Sequence, residues 1–182
     1  YGNGGSVRGA YGAMHNDGTG NRAGNVRVYE YSNSSWTQLG SDIDGEAASD
    51  NSGISVSVNA AGDRGAIGAM DNDGTGNGAG HVRIYEYSNS SWTQLGSDID
   101  GEAASDNSGI SVSMNAAGDR VAIGAKKNDG TATNAGHVRV YEYSNSSWTQ
   151  LGSDIDGEAA SDYSGNSVSM NAAGDRVAIG AY

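Results

Sequence analysis

The sequence contains no cysteine and no proline, and each absence excludes a class of protein. Without cysteine, no disulfide can stabilise the fold, and cysteine usage gives no indication of the redox compartment. The chain has 30 glycines, but a collagen triple helix is excluded because it needs a strict Gly-X-Y period and abundant proline. No apolar run approaches the roughly 18 residues of a membrane-spanning helix, so we expect no membrane insertion.

Positive charge is also scarce. The chain has 10 Lys and Arg residues and 22 Asp and Glu residues, which gives a net charge of −12. Because phosphate backbones and anionic lipid head groups would be repelled, we expect neither nucleic acid nor a membrane surface as a partner. The chain starts at Tyr1 with no initiator Met and no signal peptide, which predicts a processed chain or a segment of a longer one.

A long internal repeat dominates what is present. Trp36, Trp92 and Trp148 lie 56 residues apart, and the same string, VYEYSNSSWTQLGSDIDGEAASD, surrounds each one with Ile84 as its one substitution. The last 14 residues occupy the same phase of the repeat as the first 14. Such repetition predicts copies of one structural unit.

Each repeat contains four strand-like runs, represented by residues 54–58, 121–125, 81–87 and 92–99. A tight turn at 59–63 uses Gly62, which can adopt a positive φ. No helical periodicity is present. The pattern therefore predicts an all-β protein of tandem four-stranded antiparallel blades, as in a β-propeller. A β-solenoid is the rival, but its coils are usually much shorter than this repeat.

The repeat boundaries predict a single array over 1–182. It would consist of a partial blade at 1–53, blades at 54–109 and 110–165, and a partial blade at 166–182. About three blades are too few for a ring, since propellers typically have four to eight. The strands number one more than three blades need. We therefore expect another copy or a longer chain to complete the ring, or an open array that self-assembles into a filament.

The segments Gly53-Ile-Ser-Val-Ser, Ala122-Ile-Gly-Ala and Gly136-His-Val-Arg-Val-Tyr resemble the FG-GAP repeats of integrin α-subunits and of many bacterial and algal surface proteins. The resemblance covers essentially the whole chain, is closest to the variant without a calcium loop, and implies a propeller fold and an extracellular or cell-surface location. The family's Phe is replaced by Ser52, Ser108 and Ser164, and its Pro by Met70, Lys126 and Tyr182. The family's calcium loop is reduced to Asn-Ala-Ala-Gly-Asp, so calcium is not carried over from the resemblance.

An acidic loop recurs in every repeat. Carboxylates that alternate around a glycine can supply the oxygen ligands of Ca²⁺, although the spacing is not that of an EF-hand. The alternative is a solvated loop whose aspartates accept bonds from backbone amides. The candidate calcium ligands are Asp42, Asp44, Glu46, Asp50, Asp98, Asp100, Glu102, Asp106, Asp154, Asp156, Glu158 and Asp162. A second loop, with Asp71, Asp73 and Asn77, is predicted to be an Asx-Gly turn, because Lys126 and Lys127 stand in its third copy.

Two further features recur once per repeat. Asn33, Asn89 and Asn145 each begin an Asn-Ser-Ser triplet, the form of an N-glycosylation acceptor, at a predicted hairpin tip; an ordinary polar turn is the alternative. Trp36, Trp92 and Trp148 either stack on sugars or fill the space between blades.

No candidate catalytic base recurs in all repeats, because Asn25 stands where the other repeats have His81 and His137. The sequence therefore predicts that the chain is not an enzyme. It predicts a non-catalytic extracellular structural or adhesion module that self-associates and contacts cell-surface proteins. The alternative is a multivalent lectin-like propeller that binds glycans through one weak site per blade.

Overall fold

A computed structural model describes residues 7–182, and every regular element in that part is a β-strand. The first sheet contains β1 (Val7–Ala13), β2 (Asn25–Ser32), β3 (Ser35–Gln38) and β4 (Ile43–Asp44). The second contains β5 (Ser55–Val58), β6 (Arg64–Ala69), β7 (His81–Ser88), β8 (Ser91–Gln94) and β9 (Ile99–Asp100). The third contains β10 (Ser108–Met114), β11 (Arg120–Ala125), β12 (His137–Ser144), β13 (Ser147–Gln150) and β14 (Ile155–Asp156). The last contains β15 (Ser167–Met170) and β16 (Val177–Gly180). Across 7–182 no helix combines the length and apolarity needed to cross a membrane.

The second and third sheets have the same topology. Their strands follow the chain in the orders β5-β6-β7-β8 and β10-β11-β12-β13, and all pairs are antiparallel. The first sheet begins with the equivalent of β6, and the last sheet stops after the equivalent of that strand. The predicted all-β fold of blade-like antiparallel sheets is confirmed.

The fourth predicted strand, 92–99, is not continuous. The structure divides it into β8 and β9, which pair with opposite ends of β7. The residues between them leave the ladder at Gly96, whose φ of +81° favours glycine. We call residues 39–42, 95–98 and 151–154 the edge bulges of the three larger sheets.

The sheets stack face to face, and the core lies between them. Val82 and Ile84 of the second sheet pack against Val121 and Ile123 of the third in one buried cluster, as blades of a propeller do. The predicted positive φ at Gly62 is confirmed, at +65°.

Glycine allows the backbones of adjacent sheets to approach closely. A Cβ at Gly124 of β11 would lie 2.0 Å from the carbonyl oxygen of Gly165 at the next sheet, and one at Gly68 of β6 would lie 2.0 Å from that of Gly109. Any side chain at these two positions would collide with the neighbouring backbone. The glycines of β6 and β11 thus allow the sheets to stack closely.

Candidate site at the blade junctions

Each tryptophan that faces a preceding sheet joins two blades. The indole Nε1 of Trp92 donates a hydrogen bond of 2.7 Å to the carbonyl oxygen of Leu39, and Trp148 donates an equal one to Leu95. Both acceptors belong to the edge bulge of the preceding sheet. The ring of Trp92 also packs against Tyr87, with centroids 5.1 Å apart. The bulge that interrupts the fourth strand therefore supplies an acceptor to the next blade.

A histidine faces two carboxylates at the junction of the first and second sheets. His81 begins β7 and is among the largest fully buried side chains. Its Nδ1 lies 3.9 Å from Oε2 of Glu46, in the loop after the first sheet, and 3.7 Å from Oδ2 of Asp98, in the edge bulge of its own sheet. The three ligand atoms all lie within 4.8 Å of one another.

Neighbouring polar groups hold both carboxylates in place. The guanidinium of Arg83, two residues along β7, places Nη1 3.3 Å from Oε1 of Glu46 and donates from Nη2 to the carbonyl oxygen of Asp44 at 2.9 Å. The amide of Gln94 donates to Oδ1 of Asp98 at 2.5 Å. Each carboxylate is therefore held through one oxygen, while the other faces the imidazole.

Burial keeps the imidazole of His81 neutral at pH 7. Desolvation lowers its pKa below the usual value, and the charge of Arg83 lowers the pKa further, against the opposite influence of Asp98, Glu46 and Asp100. The contacts between this imidazole and the carboxylates are therefore not ion pairs at neutral pH. The nitrogen lone pair is available there as an acceptor or a metal ligand.

The junction of the second and third sheets repeats this arrangement. Nδ1 of His137 lies 3.9 Å from Oε2 of Glu102 and 3.6 Å from Oδ2 of Asp154. Arg139 lies 3.3 Å from Oε1 of the glutamate, and Gln150 donates to the aspartate at 2.6 Å. Burial is again the largest cause that lowers the pKa of His137. Within residues 7–182, Nδ1 of His137 is buried without a hydrogen-bond partner.

The first sheet has asparagine at the same position. Nδ2 of Asn25 donates to Oδ2 of Asp42 at 3.0 Å, and that carboxylate also accepts bonds from Arg27 at 3.0 Å and Gln38 at 2.7 Å. The bond from Gln38, and then that from Arg27, holds the pKa of Asp42 below its usual value. Here the residue at the start of the strand bonds the aspartate directly, whereas His81 and His137 lie 3.7 Å and 3.6 Å from their aspartates.

The predicted calcium ligands do not converge within one loop. Across the described part of the chain, groups of three or more potential ligands occur only at the two junctions, and each combines a glutamate from one repeat with an aspartate from the next. The four acids of a single loop are therefore not brought together as one group among the described residues, and calcium binding by them stays a prediction. The predicted ligands outside the two groups are Asp42, Asp44, Asp50, Asp100, Asp106, Asp156, Glu158 and Asp162.

Three of those aspartates cap their own loops. Oδ2 of Asp50 accepts bonds of 3.0 Å from the backbone N–H of Ala47 and from Asn72, and Asp106 accepts equivalent bonds. Asp162 accepts a backbone bond of 2.8 Å. These contacts are those of the predicted alternative, in which loop aspartates bond backbone amides. The second acidic loop behaves likewise, since Oδ1 of Asp73 accepts the backbone N–H of Gly78 at 2.8 Å.

The three candidate glycosylation sites lie at exposed hairpin tips. Asn33, Asn89 and Asn145 have φ values of 49°, 50° and 51°, and the serine after each also has a positive φ. Two central residues with positive φ define a type I′ turn, which favours asparagine. The turn explains the asparagines structurally, and glycosylation stays a prediction.

The three tryptophans are not equivalent. Trp92 and Trp148 are half-buried in junctions, whereas Trp36 is 47% exposed because no preceding sheet covers it among residues 7–182. Only Trp36 therefore presents a broad face that a sugar ring could stack on.

The sequence analysis missed the two histidines as site residues, because it required a candidate to recur in every repeat. A signal was present. His81 and Arg83 alternate along one strand, and both also occur in the next repeat as His137 and Arg139. Alternate strand residues share one face, so the sequence alone places a histidine and an arginine side by side. This pattern does not reveal that a glutamate of the preceding repeat approaches the histidine.

Comparison with known proteins identifies the fold and no family. No family model matches the chain, and no curated protein matches its sequence. A Bacteroides uniformis ATCC 8492 protein described as a candidate 6-phosphogluconolactonase is similar in structure, with a TM-score of 0.57, 8% identity, 85% of this chain covered and 40% of that one. The structure of U3-55K matches with a TM-score of 0.45 and 16% identity, over 86% of this chain and 41% of that one. The chain spans about two fifths of the length of these structures.

The first of these similarities corrects a prediction. We predicted from the symmetric repeats that the chain is not an enzyme, but its fold resembles that of a protein described as an enzyme. The prediction that the chain is not an enzyme, made from the symmetry of its repeats, is therefore wrong. At 8% identity the likeness shows the fold alone, and it gives this chain no activity.

Proposed function

We propose that the chain is a repeat module of the FG-GAP type, which acts as a structural or adhesion element at the cell surface or outside the cell. It would serve there as a scaffold or filament subunit. The observation that carries the proposal is that the two ends present the two complementary halves of the contact that joins the blades internally.

The first end presents an uncovered donor face. Trp36 is 47% exposed, whereas its counterparts donate to the preceding blade. It lines a groove of about 350 Å³ together with Tyr11, Tyr29 and Arg27. A preceding sheet would bury these aromatic rings, because the equivalent residues of the second and third sheets are covered in that way.

The other end presents the matching acceptor face. Leu151 and Ile155 of the third sheet are each 44% exposed. A Cβ at Gly152 would meet no described residue within 4 Å, whereas a Cβ at Gly96 would lie 2.8 Å from Trp148. The face therefore has the shape of a junction without its tryptophan, and a second copy of the chain carries that tryptophan at its first end.

The strands at the two ends support the same partner. Among residues 7–182, β16 pairs only with β15 and leaves an open edge, while β1 is the equivalent strand of the first sheet. If β16 of one copy replaces β1 of the next, a blade forms from β15 and β16 of the first copy with β2 and β3 of the second. Open edges of this kind favour association.

An extracellular setting is supported by the chemistry of the surface. The three Asn-Ser-Ser hairpin tips are exposed, as glycan acceptors must be. The net charge of −12 suits a well-hydrated surface repeat.

Light scattering of the purified chain over a range of concentrations tests the proposal. We expect a discrete dimer or larger assemblies, and we expect Trp36→Ala and Leu151→Glu each to reduce the native mass. Ser97→Glu, an exposed change on the edge bulge of the middle sheet, is the matched control and should not affect association. A monomer at every concentration would overturn the proposal.

A second candidate function is glycan binding, favoured by the exposed Trp36 groove alone. The rings of Tyr11 and Tyr29 meet edge to face there, with centroids 5.7 Å apart, and Arg27 adds hydrogen-bond donors. A glycan array tests it. Reproducible binding that Trp36→Ala abolishes, with an unchanged circular dichroism spectrum, supports a lectin-like function. Binding that survives this change, or no binding at all, contradicts it.

A further inference from the structure

We propose that each of the two Glu–His–Asp clusters binds one divalent transition-metal ion, with Zn²⁺ as the best match. The ligands are Nδ1 of the histidine and one oxygen of each carboxylate. One site consists of Glu46, His81 and Asp98, and the other of Glu102, His137 and Asp154. The inference does not depend on association between copies, because both sites lie inside one chain.

The spacing of the ligand atoms fits such an ion. In a tetrahedral zinc site with bonds of about 2.1 Å, neighbouring ligand atoms lie about 3.4 Å apart. Nδ1 of His137 is 3.6 Å from Oδ2 of Asp154 and 3.9 Å from Oε2 of Glu102. Small side-chain movements would therefore complete coordination, and the fourth position would be open to water.

The same distances are too long for hydrogen bonds. Bonds from nitrogen to oxygen have lengths of about 2.7–3.2 Å, so the imidazole and the carboxylates do not satisfy one another. Nδ1 of His137 is left buried with no partner among the described residues, which costs stability. The first sheet shows the alternative solution, because Asn25 approaches Asp42 to 3.0 Å. Where histidine replaces this asparagine, its Nδ1 makes no such bond to the aspartate, and a bound cation would satisfy it.

The net charge of each cluster, and the neighbouring side chains that orient its carboxylates, also favour a bound cation. Each cluster holds two carboxylates against one arginine, so a net negative charge remains. Glu46 is fixed through its other oxygen by Arg83, and Asp98 by Gln94. Outer contacts of this kind orient metal ligands. The side chains of Glu46 and Asp98 are 45% and 31% exposed, which gives an ion access from solvent.

The ligand set selects the class of metal. Ca²⁺ and Mg²⁺ prefer oxygen ligands alone, whereas an imidazole with carboxylates suits Zn²⁺ and its first-row neighbours. These ions would link blades, since the glutamate belongs to one repeat and the other two ligands belong to the next. Binding to the folded state alone would raise stability with metal concentration.

The test is a titration of the metal-free chain with Zn²⁺ by calorimetry and with Co²⁺ by visible absorption. We expect two ions per chain, the d–d bands of a low-coordinate Co²⁺ site, and a shift of the Nδ1 resonances of His81 and His137 in nitrogen NMR spectra. Glu102→Gln should reduce the stoichiometry from two to one. The double variant His81→Asn, His137→Asn copies the first repeat and should bind neither ion.

The matched control is His15→Asn, which removes the remaining histidine, an exposed loop residue, and should keep both sites. Circular dichroism in EDTA shows whether each variant is folded. If the double variant does not fold, Glu102→Gln and the NMR shifts of the unmodified chain still decide. Equal binding by the unmodified chain and the double variant, or no binding at millimolar Zn²⁺, would overturn the proposal.

Discussion

The interior junctions and the two ends of the array have nearly the same sequence but different environments. Trp92 is half-buried and donates to Leu39, whereas Trp36 in the same string is 47% exposed. A Cβ at Gly40 would lie 2.9 Å from Trp92, yet Gly152 has open space around it. A residue's contribution to stability is therefore set by whether a neighbouring blade covers it. This is the behaviour expected of repeat proteins, whose stability depends on nearest-neighbour interfaces.

The largest contrast is expected at a backbone contact. Gly124→Ala places a Cβ 2.0 Å from the carbonyl oxygen of Gly165, so the sheets must move apart. We expect a loss of about 3 kcal/mol in the free energy of unfolding, the upper end of typical overpacking costs, measured by urea denaturation. At the equivalent Gly180→Ala the close contact is with the hydroxyl of Ser167, which can rotate away, while the Ser167 carbonyl oxygen lies 3.8 Å from the added Cβ, so the substitution should cost much less. Equal losses would show that the close approach of adjacent sheets does not limit stability.

Removal of a junction tryptophan should have the next largest effect. Trp92→Ala loses its packing against Tyr87 and its bond to Leu39, and we expect a cost of about 2 kcal/mol because the ring is half-buried. Trp36→Ala should change the denaturation midpoint of the monomer very little. If the two substitutions destabilise the monomer equally, coverage by the preceding blade is not the cause of the difference.

The two interior histidines should make the free energy of unfolding depend on pH, and this effect should be smaller than that of removing a junction tryptophan. Burial lowers the pKa of His81 and His137 below the usual 6.5, so the unfolded chain binds more protons in acid. The contribution of the two neutral imidazoles to the free energy of unfolding is complete above about pH 6.5, and it is lost as the pH falls below that value.

Urea midpoints in EDTA between pH 8 and pH 5 measure this dependence without metal. The double variant His81→Asn, His137→Asn should show a flatter profile over this range. Arg83 opposes protonation of His81 while Asp98, Glu46 and Asp100 favour it. A profile unchanged by the double substitution would assign the pH dependence to other groups.

The smallest difference is expected at the hairpin tips, which lie outside the junctions. Asn33→Ala and Asn89→Ala each place alanine at a positive φ, which costs about 1 kcal/mol. Because both tips are exposed type I′ turns, the two losses should agree within error in thermal or urea unfolding. A clear difference between them would mean that the distinction between ends and interior extends beyond the junctions.

Much of the fold could be predicted from the sequence because it depends on local signals. Alternating apolar and hydroxyl residues predicted the first strand of the repeat, and Gly62 predicted the turn that follows it. The fourth strand was predicted as continuous although 92–99 contains Gly96-Ser-Asp98, a turn-forming sequence in which the bulge lies. Its cause is the positive φ of Gly96, which leaves space for the next blade's tryptophan.

The candidate metal clusters could not be predicted in the same way. The sequence placed Asp98 and Glu102 in one loop, and we grouped them. In the structure, Asp98 faces the glutamate of the preceding repeat, and Glu102 faces the histidine of the following one. The distance along the chain between Glu46 and His81 gives no hint of a contact, since it depends on how two sheets stack.

By itself, the sequence determined the repeat, the all-β class, the strands within each blade and the acidic character of the chain. These follow from periodicity and from local backbone preferences, which act within a few residues. Only the tertiary structure decided which carboxylates meet a histidine, which tryptophan is exposed and which glycines touch a neighbouring backbone. Those outcomes depend on contacts between blades, where near-identical residues differ only in whether a neighbouring sheet covers them.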